Sequence, residues 1–318
     1  TGESLSVQDA SGRTLGPEAI LGTIQVTPSA YQPPLAALQM ERSLSQDFAG
    51  ELRLVGSSGG AGLHRPGDTV ECSLFWQART RPSRAYVVFV QLQDASGKPW
   101  ALAETPDLGN GYTLDRLAPG EVVRAQYSLL IPATAPDGTY RLVAGLLDPL
   151  TRQRVPASQG DQVNLIKLQL MGRAHTTAVP AMQRTVNARL GDVADLLGFD
   201  LASPAAGRQV NITLYWRARQ ETSTAYKVFV HLLDAKAAIW GQRDAEPRNG
   251  DAPTTSWIPG EIISDTYSIP VQPDAPPGEY DIEIGMYSLP SGARLPVTNL
   301  TGQPMGDHLI LGRVAVVQ

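Results

Sequence analysis

Two stretches of this chain are nearly the same: "AYVVFVQLQDA" from Ala85 to Ala95 and "AYKVFVHLLDA" from Ala225 to Ala235. Read as a strand, the second puts Tyr226, Val228, Val230 and Leu232 on one face and Lys227, Phe229, His231 and Leu233 on the other. The first puts Val87, Phe89, Gln91 and Gln93 on that second face. Gln cannot relay a proton as His does, so a slot filled by Gln91 in one copy and His231 in the other is not the slot of a shared general base. The comparison predicts a solvated or hydrogen-bonded sheet-face histidine.

The likeness extends far beyond eleven residues. At an offset of 140, Trp76 meets Trp216, Asp94 meets Asp234, Trp100 meets Trp240, "PGE" at Pro119 meets "PGE" at Pro259, and Tyr127 meets Tyr267. Pro136, Gly138, Tyr140, Gly145, Arg154 and Pro156 continue the register onto Pro276, Gly278, Tyr280, Gly285, Arg294 and Pro296. The period is too long for a solenoid unit, so the chain holds two copies of one domain. "GPEAILGTIQV" at Gly16–Val26 also matches "GDQVNLIKLQL" at Gly160–Leu170 and "GDHLILGRVAV" at Gly306–Val316. Residues 1–30 are therefore expected to hold the last strand of a truncated preceding repeat, residues 31–172 repeat 1 with its leading linker, and residues 173–318 repeat 2 with its own. A shorter match of "QDASG" at Gln8 with the same letters at Gln93 competes with that placement of the N-terminus.

Within each copy the pattern is that of strands. Val70, Cys72, Leu74, Trp76 and Ala78 alternate with Glu71, Ser73, Phe75, Gln77 and Arg79, and Val210, Ile212, Leu214, Trp216 and Ala218 repeat the apolar set. Turn signals ("DASGK", "PGE", "PDGTY", "PPGEY") separate about seven strands per copy, counted from about Glu51, with no helical period. The expected fold is all-β: two tandem immunoglobulin-like antiparallel β-sandwiches, with a core tryptophan and a tyrosine corner but without the paired cysteines of antibody domains. Residues 31–48 and 173–189 show no strong pattern and are expected to be linkers or edge-covering loops.

Composition narrows the function. The 318 residues are 42% hydrophobic, enough for two cores, and no run is long and apolar enough to span a bilayer. The first residues are no signal peptide, and the missing initiator Met suggests a processed chain or a fragment. A net charge of -5 without any basic run argues against nucleic acid. Cys72 is the only cysteine, so no internal disulfide or Cys-based zinc site is available, and its counterpart Ile212 marks it as a core slot. His64, His175 and His308 fall in no metal-ligand spacing; no metal and no cofactor are expected.

"LYWRARQETSTAYKVFVHLLDA", with "WGQRDAEP", "WIPGEIISDTYSIPV", "PPGEYDIEIGMYSLPSGARLPV" and "LILGRVAV", resembles a β-sandwich module found after the membrane-spanning part of bacterial multi-pass proteins. Many of those proteins resemble the dolichyl-phosphate-mannose-type glycosyltransferases. "RPGDTVECSLFWQA" is also similar to the opening strands of sugar-binding β-sandwiches, such as the C-terminal domain of O-antigen exporters. The resemblance implies an extracytoplasmic, non-catalytic appendage of a cell-envelope membrane protein. The membrane domain of that parent is the partner it implies, and it supplies no catalytic residues; a cell-envelope glycan is the first candidate ligand.

The residues that suggest binding lie on the side of the strands away from the core. Phe75, Arg79, Phe89 and Gln91 correspond to Tyr215, Arg219, Phe229 and His231, and adjacent strands would bring each set together. Aromatic faces beside Arg, Gln or His suit a sugar, but the same stripe suits packing under a loop or linker. Trp257, whose counterpart is Leu117, is a candidate specific to repeat 2. The recurring carboxylates Asp94/Asp234, Glu104/Asp244 and Glu121/Glu261 read as turn chemistry before they read as a glycosidase pair. Glycan recognition predicts an exposed stripe, an architectural spacer predicts a covered stripe and a rigid contact between the repeats, and a hydrolase predicts a deep pocket with paired carboxylates.

Overall fold

The computed structural model describes residues 7–8, 14–16, 34–202, 209–289 and 291–316. It divides into two compact units, Thr1–Gln39 and Met40–Gln318. In the first, strands β1 (Val7–Gln8) and β2 (Thr14–Gly16) pair antiparallel. Residues 17–26, on which the expected strand of a preceding repeat chiefly rests, lie outside the described residues.

The second unit holds both repeats, and each is a two-sheet sandwich. Repeat 1 is built from β3 (Arg42–Phe48), β4 (Leu52–Gly59), β5 (Leu63–His64), β6 (Thr69–Ala78), β7 (Val87–Asp94), β8 (Pro99–Thr105), β9 (Val122–Leu130), β10 (Gly138–Leu147) and β11 (Val163–Leu170). Its sheets run β3-β4-β6-β9 and β5-β11-β10-β7-β8. Repeat 2 is built from β12 (Arg184–Leu190), β13 (Ala194–Leu201), β14 (Gln209–Ala218), β15 (Tyr226–Leu233), β16 (Ile239–Ala245), β17 (Ile262–Pro270), β18 (Gly278–Ser288), β19 (Val297–Asn299), β20 (Pro304–Gly306) and β21 (Leu309–Val316). Its sheets run β17-β14-β13-β12-β19-β20 and β16-β15-β18-β21.

The alternation that predicted β6 and β14 is the alternation that fills the cores. Val70, Cys72, Leu74, Trp76 and Ala78 meet Val88, Val90 and Leu92 of the facing sheet in one buried cluster, and Ile212, Leu214 and Trp216 meet Val228, Val230 and Leu232 in the other. Both tyrosine corners form: the Tyr140 hydroxyl donates to the Pro136 carbonyl at 2.9 Å and the Tyr280 hydroxyl to that of Pro276 at 2.6 Å. The core tryptophans depart from the antibody pattern, because they sit in the sheet opposite β7 and β15.

The segments expected to be linkers are in part strands. Residues 42–48 and 184–190 form β3 and β12, which pair with β4 and β13 across a bulge in each repeat. The bulge falls at Gly56 and Gly198, where a Cβ would run into the thioethers of Met40 and Met182. Neither segment alternates cleanly, since the bulge breaks the period of two.

Candidate functional site

The predicted stripe does not exist as one surface. Phe75 and Arg79 belong to β6, whereas Phe89 and Gln91 belong to β7 in the opposite sheet; Tyr215 and Arg219 on β14 are parted from Phe229 and His231 on β15 in the same way. The chain crosses the sandwich between these strands, so their outer faces point in opposite directions. Six of these eight side chains are also buried. The Arg124 guanidinium lies over the Phe75 ring, and Tyr215 packs with Leu197, Ile262 and Met182 while its hydroxyl donates to Asp200 at 2.7 Å. The two exceptions are the arginines, and both are ion-paired, Arg79 to Asp47 at 2.8 Å and Arg219 to Asp195 at 3.2 Å. Trp257 is a core residue of repeat 2 whose indole donates to the Ala252 carbonyl at 2.8 Å.

On the other sheets the two repeats build one scaffold with different contents. Phe89 lies on Gly145, where a Cβ would come within 2.6 Å of its ring, and Arg154 stacks over it at 4.9 Å. Phe229 lies on Gly285 beneath Arg294 at 4.3 Å in the same arrangement. Around that stack repeat 1 places neutral amides: Gln93 donates to Gln91 at 2.6 Å and to Gln162 at 3.1 Å. Repeat 2 places ionisable groups. His231 Nδ1 is 2.9 Å from Glu283, its Nε2 is 3.3 Å from Asp244, and its ring lies 5.0 Å from that of Phe229. Only 8% of His231 is exposed and both nitrogens face carboxylates, so neither is open to a substrate. The Gln–His comparison predicts a solvated or hydrogen-bonded histidine on a face outside the core; His231 is hydrogen-bonded but buried.

The recurring carboxylates hold turns and pairs. Asp94 accepts the backbone N–H groups of Ser96 and Lys98 and the indole N–H of Trp100 at 3.0 Å; Asp234 does the same for Lys236, Ala238 and Trp240. A bond from the Ser96 hydroxyl at 2.6 Å leads, followed by that from the Trp100 indole, and together with the backbone bonds they pull the Asp94 carboxyl down to about 2. They also explain why the tryptophans recur. Glu104 pairs with Arg152 as Asp244 does with His231. Glu121 and Glu261 accept the N–H three residues back across the Pro-Gly turn, from Ala118 and Ile258.

Several grooves lie where the repeats meet. Glu261 is 1% exposed, and two groups from the connecting segment cover it: Arg173, which reaches both carboxylate oxygens, and His175 at 2.9 Å. Gly67 of repeat 1, at φ +93, presses against Ser256 of repeat 2, whose Cα would stand 2.6 Å from a Cβ there. Arg65 reaches Asp251 at 3.4 Å. Beside this contact runs a groove of about 490 Å³ lined by Arg173, Thr176, Arg248, Asn249, Ser264 and Thr266 among others.

One residue behind that groove is not among the candidates the sequence suggested. Asp265 is fully buried and accepts Tyr267 Oη at 2.5 Å, the Arg248 backbone N–H at 2.7 Å and Trp216 Nε1 at 3.3 Å. Burial drives its carboxyl upward against the opposing pull of those donors. Repeat 1 has Ala125 there, and its buried Trp76 indole and Tyr127 hydroxyl have no hydrogen-bond partner among the described residues. The signal available was the one polar-for-apolar exchange on the core face of an otherwise matching strand.

Fold and site together define a class: a tandem immunoglobulin-like β-sandwich protein whose repeats share one scaffold. No family model matches the chain, and no curated protein does. Among solved structures, the Streptococcus agalactiae AgI/II polypeptide BspA C terminal domain aligns over 83% of this chain and 97% of that one, at 8% identity and a TM-score of 0.20. That likeness is too remote to carry function.

Proposed function

We propose that the chain is a non-catalytic positioning module: two sandwiches held at a set mutual orientation, carried outside the cytoplasm as an appendage of a membrane protein. The observation that carries this is the contact between the repeats. Glu261, buried and held by Arg173 and His175 of the connecting segment, pins that segment to repeat 2, and the Gly67–Ser256 contact, too close for any side chain, sets repeat 1 against repeat 2. A flexible pair of domains has no need of a buried ion cluster at its hinge, because desolvating those charges is costly unless the geometry is kept. The covered outer faces support positioning over sugar recognition, since the aromatic rings named above present no open face to stack a sugar. No helix among the described residues is long and apolar enough to cross a membrane, so the membrane part of this reading comes from the sequence resemblance.

The test uses spin labels at Lys167→Cys in repeat 1 and Lys236→Cys in repeat 2, both exposed, with buried Cys72 left unlabelled. Positioning predicts one narrow distance distribution, which Glu261→Ala broadens. A broad distribution in the parent chain would remove the basis of the proposal.

A further inference from the structure

β17 is the edge strand of its sheet, and its outer side is only begun. The Ile262 N–H points away from β14 and donates to the Thr176 carbonyl of the connecting segment at 2.7 Å. The neighbouring Glu261 carbonyl points the other way and accepts from Ala218 at 2.8 Å. Because main-chain groups alternate sides along an antiparallel strand, the N–H and C=O groups of Ser264 and Thr266 point outward as those of Ile262 do. They line the groove of about 490 Å³. The connecting segment makes the first rung and then leaves for the sheet face, where Met182 packs on Tyr215.

Open edges are usually guarded by charge or proline. The equivalent edge of repeat 1, β9, carries Arg124 and Gln126 among its exposed side chains. On β17 the exposed side chains before the terminal Pro270 are Ser264, Thr266 and Ser268, all small and uncharged. The opposite wall of the groove is shaped with unusual backbone. Arg248 and Asn249 both adopt left-handed conformations, φ 54 and 53, and the buried Asp265 holds this turn through the Arg248 N–H. Repeat 1 puts Leu108 and Gly109 at these positions, with Leu108 buried in the core. Repeat 2 thus turns an arginine outward where repeat 1 turns a leucine in. The two carboxylates that line the groove are paired, Asp251 with Arg65 and Glu261 with Arg173 and His175, whereas no ion pair engages Arg248 among the described residues.

We infer that the groove between β17 and the Arg248–Asn249 turn is a docking site for an extended, acidic peptide segment of a partner, which continues the ladder that Thr176 starts and sets a carboxylate against Arg248. Main-chain pairing at Ser264 and Thr266 supplies the register, and the guanidinium selects for acidic over neutral strands. An extended peptide fits better than a sugar here because the outward-pointing donors and acceptors repeat at the two-residue spacing of a strand, and no ring among the described residues lines the groove.

The experiment is titration of the intact, isotope-labelled chain with a short acetylated peptide of alternating Thr and Val bearing one central Glu. Expected are slowed amide exchange at Ser264 and Thr266, binding about fivefold weaker in Arg248→Ala, and no binding of the same peptide N-methylated on its pairing edge. Ser264→Pro, which removes an outward N–H but no bond to β14, is expected to abolish binding while leaving the melting temperature within a few degrees. Ser264 and Thr266 amides already protected in the free chain, or binding indifferent to N-methylation, would overturn the inference. So would an oligogalacturonate that binds with Arg248 dependence while the peptide does not, since the groove would then be an anionic-sugar site.

Discussion

Asp265→Ala gives repeat 2 the residue that repeat 1 has, and its cost follows from what the carboxylate holds. Three buried donors lose their acceptor: Tyr267 Oη, the Arg248 N–H and Trp216 Nε1. Each orphaned donor costs about 1–3 kcal/mol, while removing the carboxylate returns part of a desolvation penalty of several kcal/mol. Repeat 1 folds with two equivalent donors unsatisfied around Ala125, so those two are survivable losses. The Arg248 N–H has no such precedent, and the left-handed turn depends on it. The balance is a loss of about 3 kcal/mol at neutral pH, or roughly 10 °C in the melting temperature of a domain this size. The sign of the pH dependence follows from the raised carboxyl. A carboxyl raised above its ordinary 3.8 stabilises fully below that value and loses its contribution as pH rises through the folded-state value. The gap between parent and variant is therefore largest in acid and narrows as pH rises above about 4. Urea unfolding of both proteins at a series of pH values measures it. A variant as stable as the parent at every pH, or a gap that widens with pH, would refute the assignment of Asp265 as the keystone of that turn.

Gly285→Ala places a methyl in the Phe229 ring and is expected to cost about 1–3 kcal/mol by thermal unfolding, because the ring is pinned from above by Arg294. The Cys72 thiol, buried and pushed up to about 12 by desolvation and by the nearby Glu71 charge, should resist iodoacetamide at pH 8 in the folded chain and react once urea unfolds it. Asp94 is depressed from 3.8 to about 2, so its contribution to the β7–β8 hairpin is complete above 3.8 and disappears as pH falls through 2. The Trp100 indole N–H resonance should follow that titration, and Asp94→Asn should abolish the pH dependence.

The 140-residue register and the period of two carried most of the fold, because internal repetition shows which positions tolerate exchange and which do not. Cys72 against Ile212 and Gln91 against His231 were informative for that reason. The period tells which side of a strand faces the core, but not which sheet the strand joins. That is why Phe75 and Phe89 were expected side by side and stand back to back. β3 and β12 were hidden because a bulge interrupts their alternation, although Met40, Arg42 and Gly56 repeat as Met182, Arg184 and Gly198 at an offset of 142. The groove was hidden for a different reason. It is assembled from the connecting segment, a left-handed turn and an edge strand, and no local motif announces such a meeting.

The central claim is that the two sandwiches keep one mutual orientation, and residual dipolar couplings measured on the intact chain test it most directly. A fixed junction predicts that couplings from repeat 1 and repeat 2 fit a single alignment tensor. Two tensors differing in magnitude and direction would mean that the repeats move independently, and the positioning role would fall with the junction.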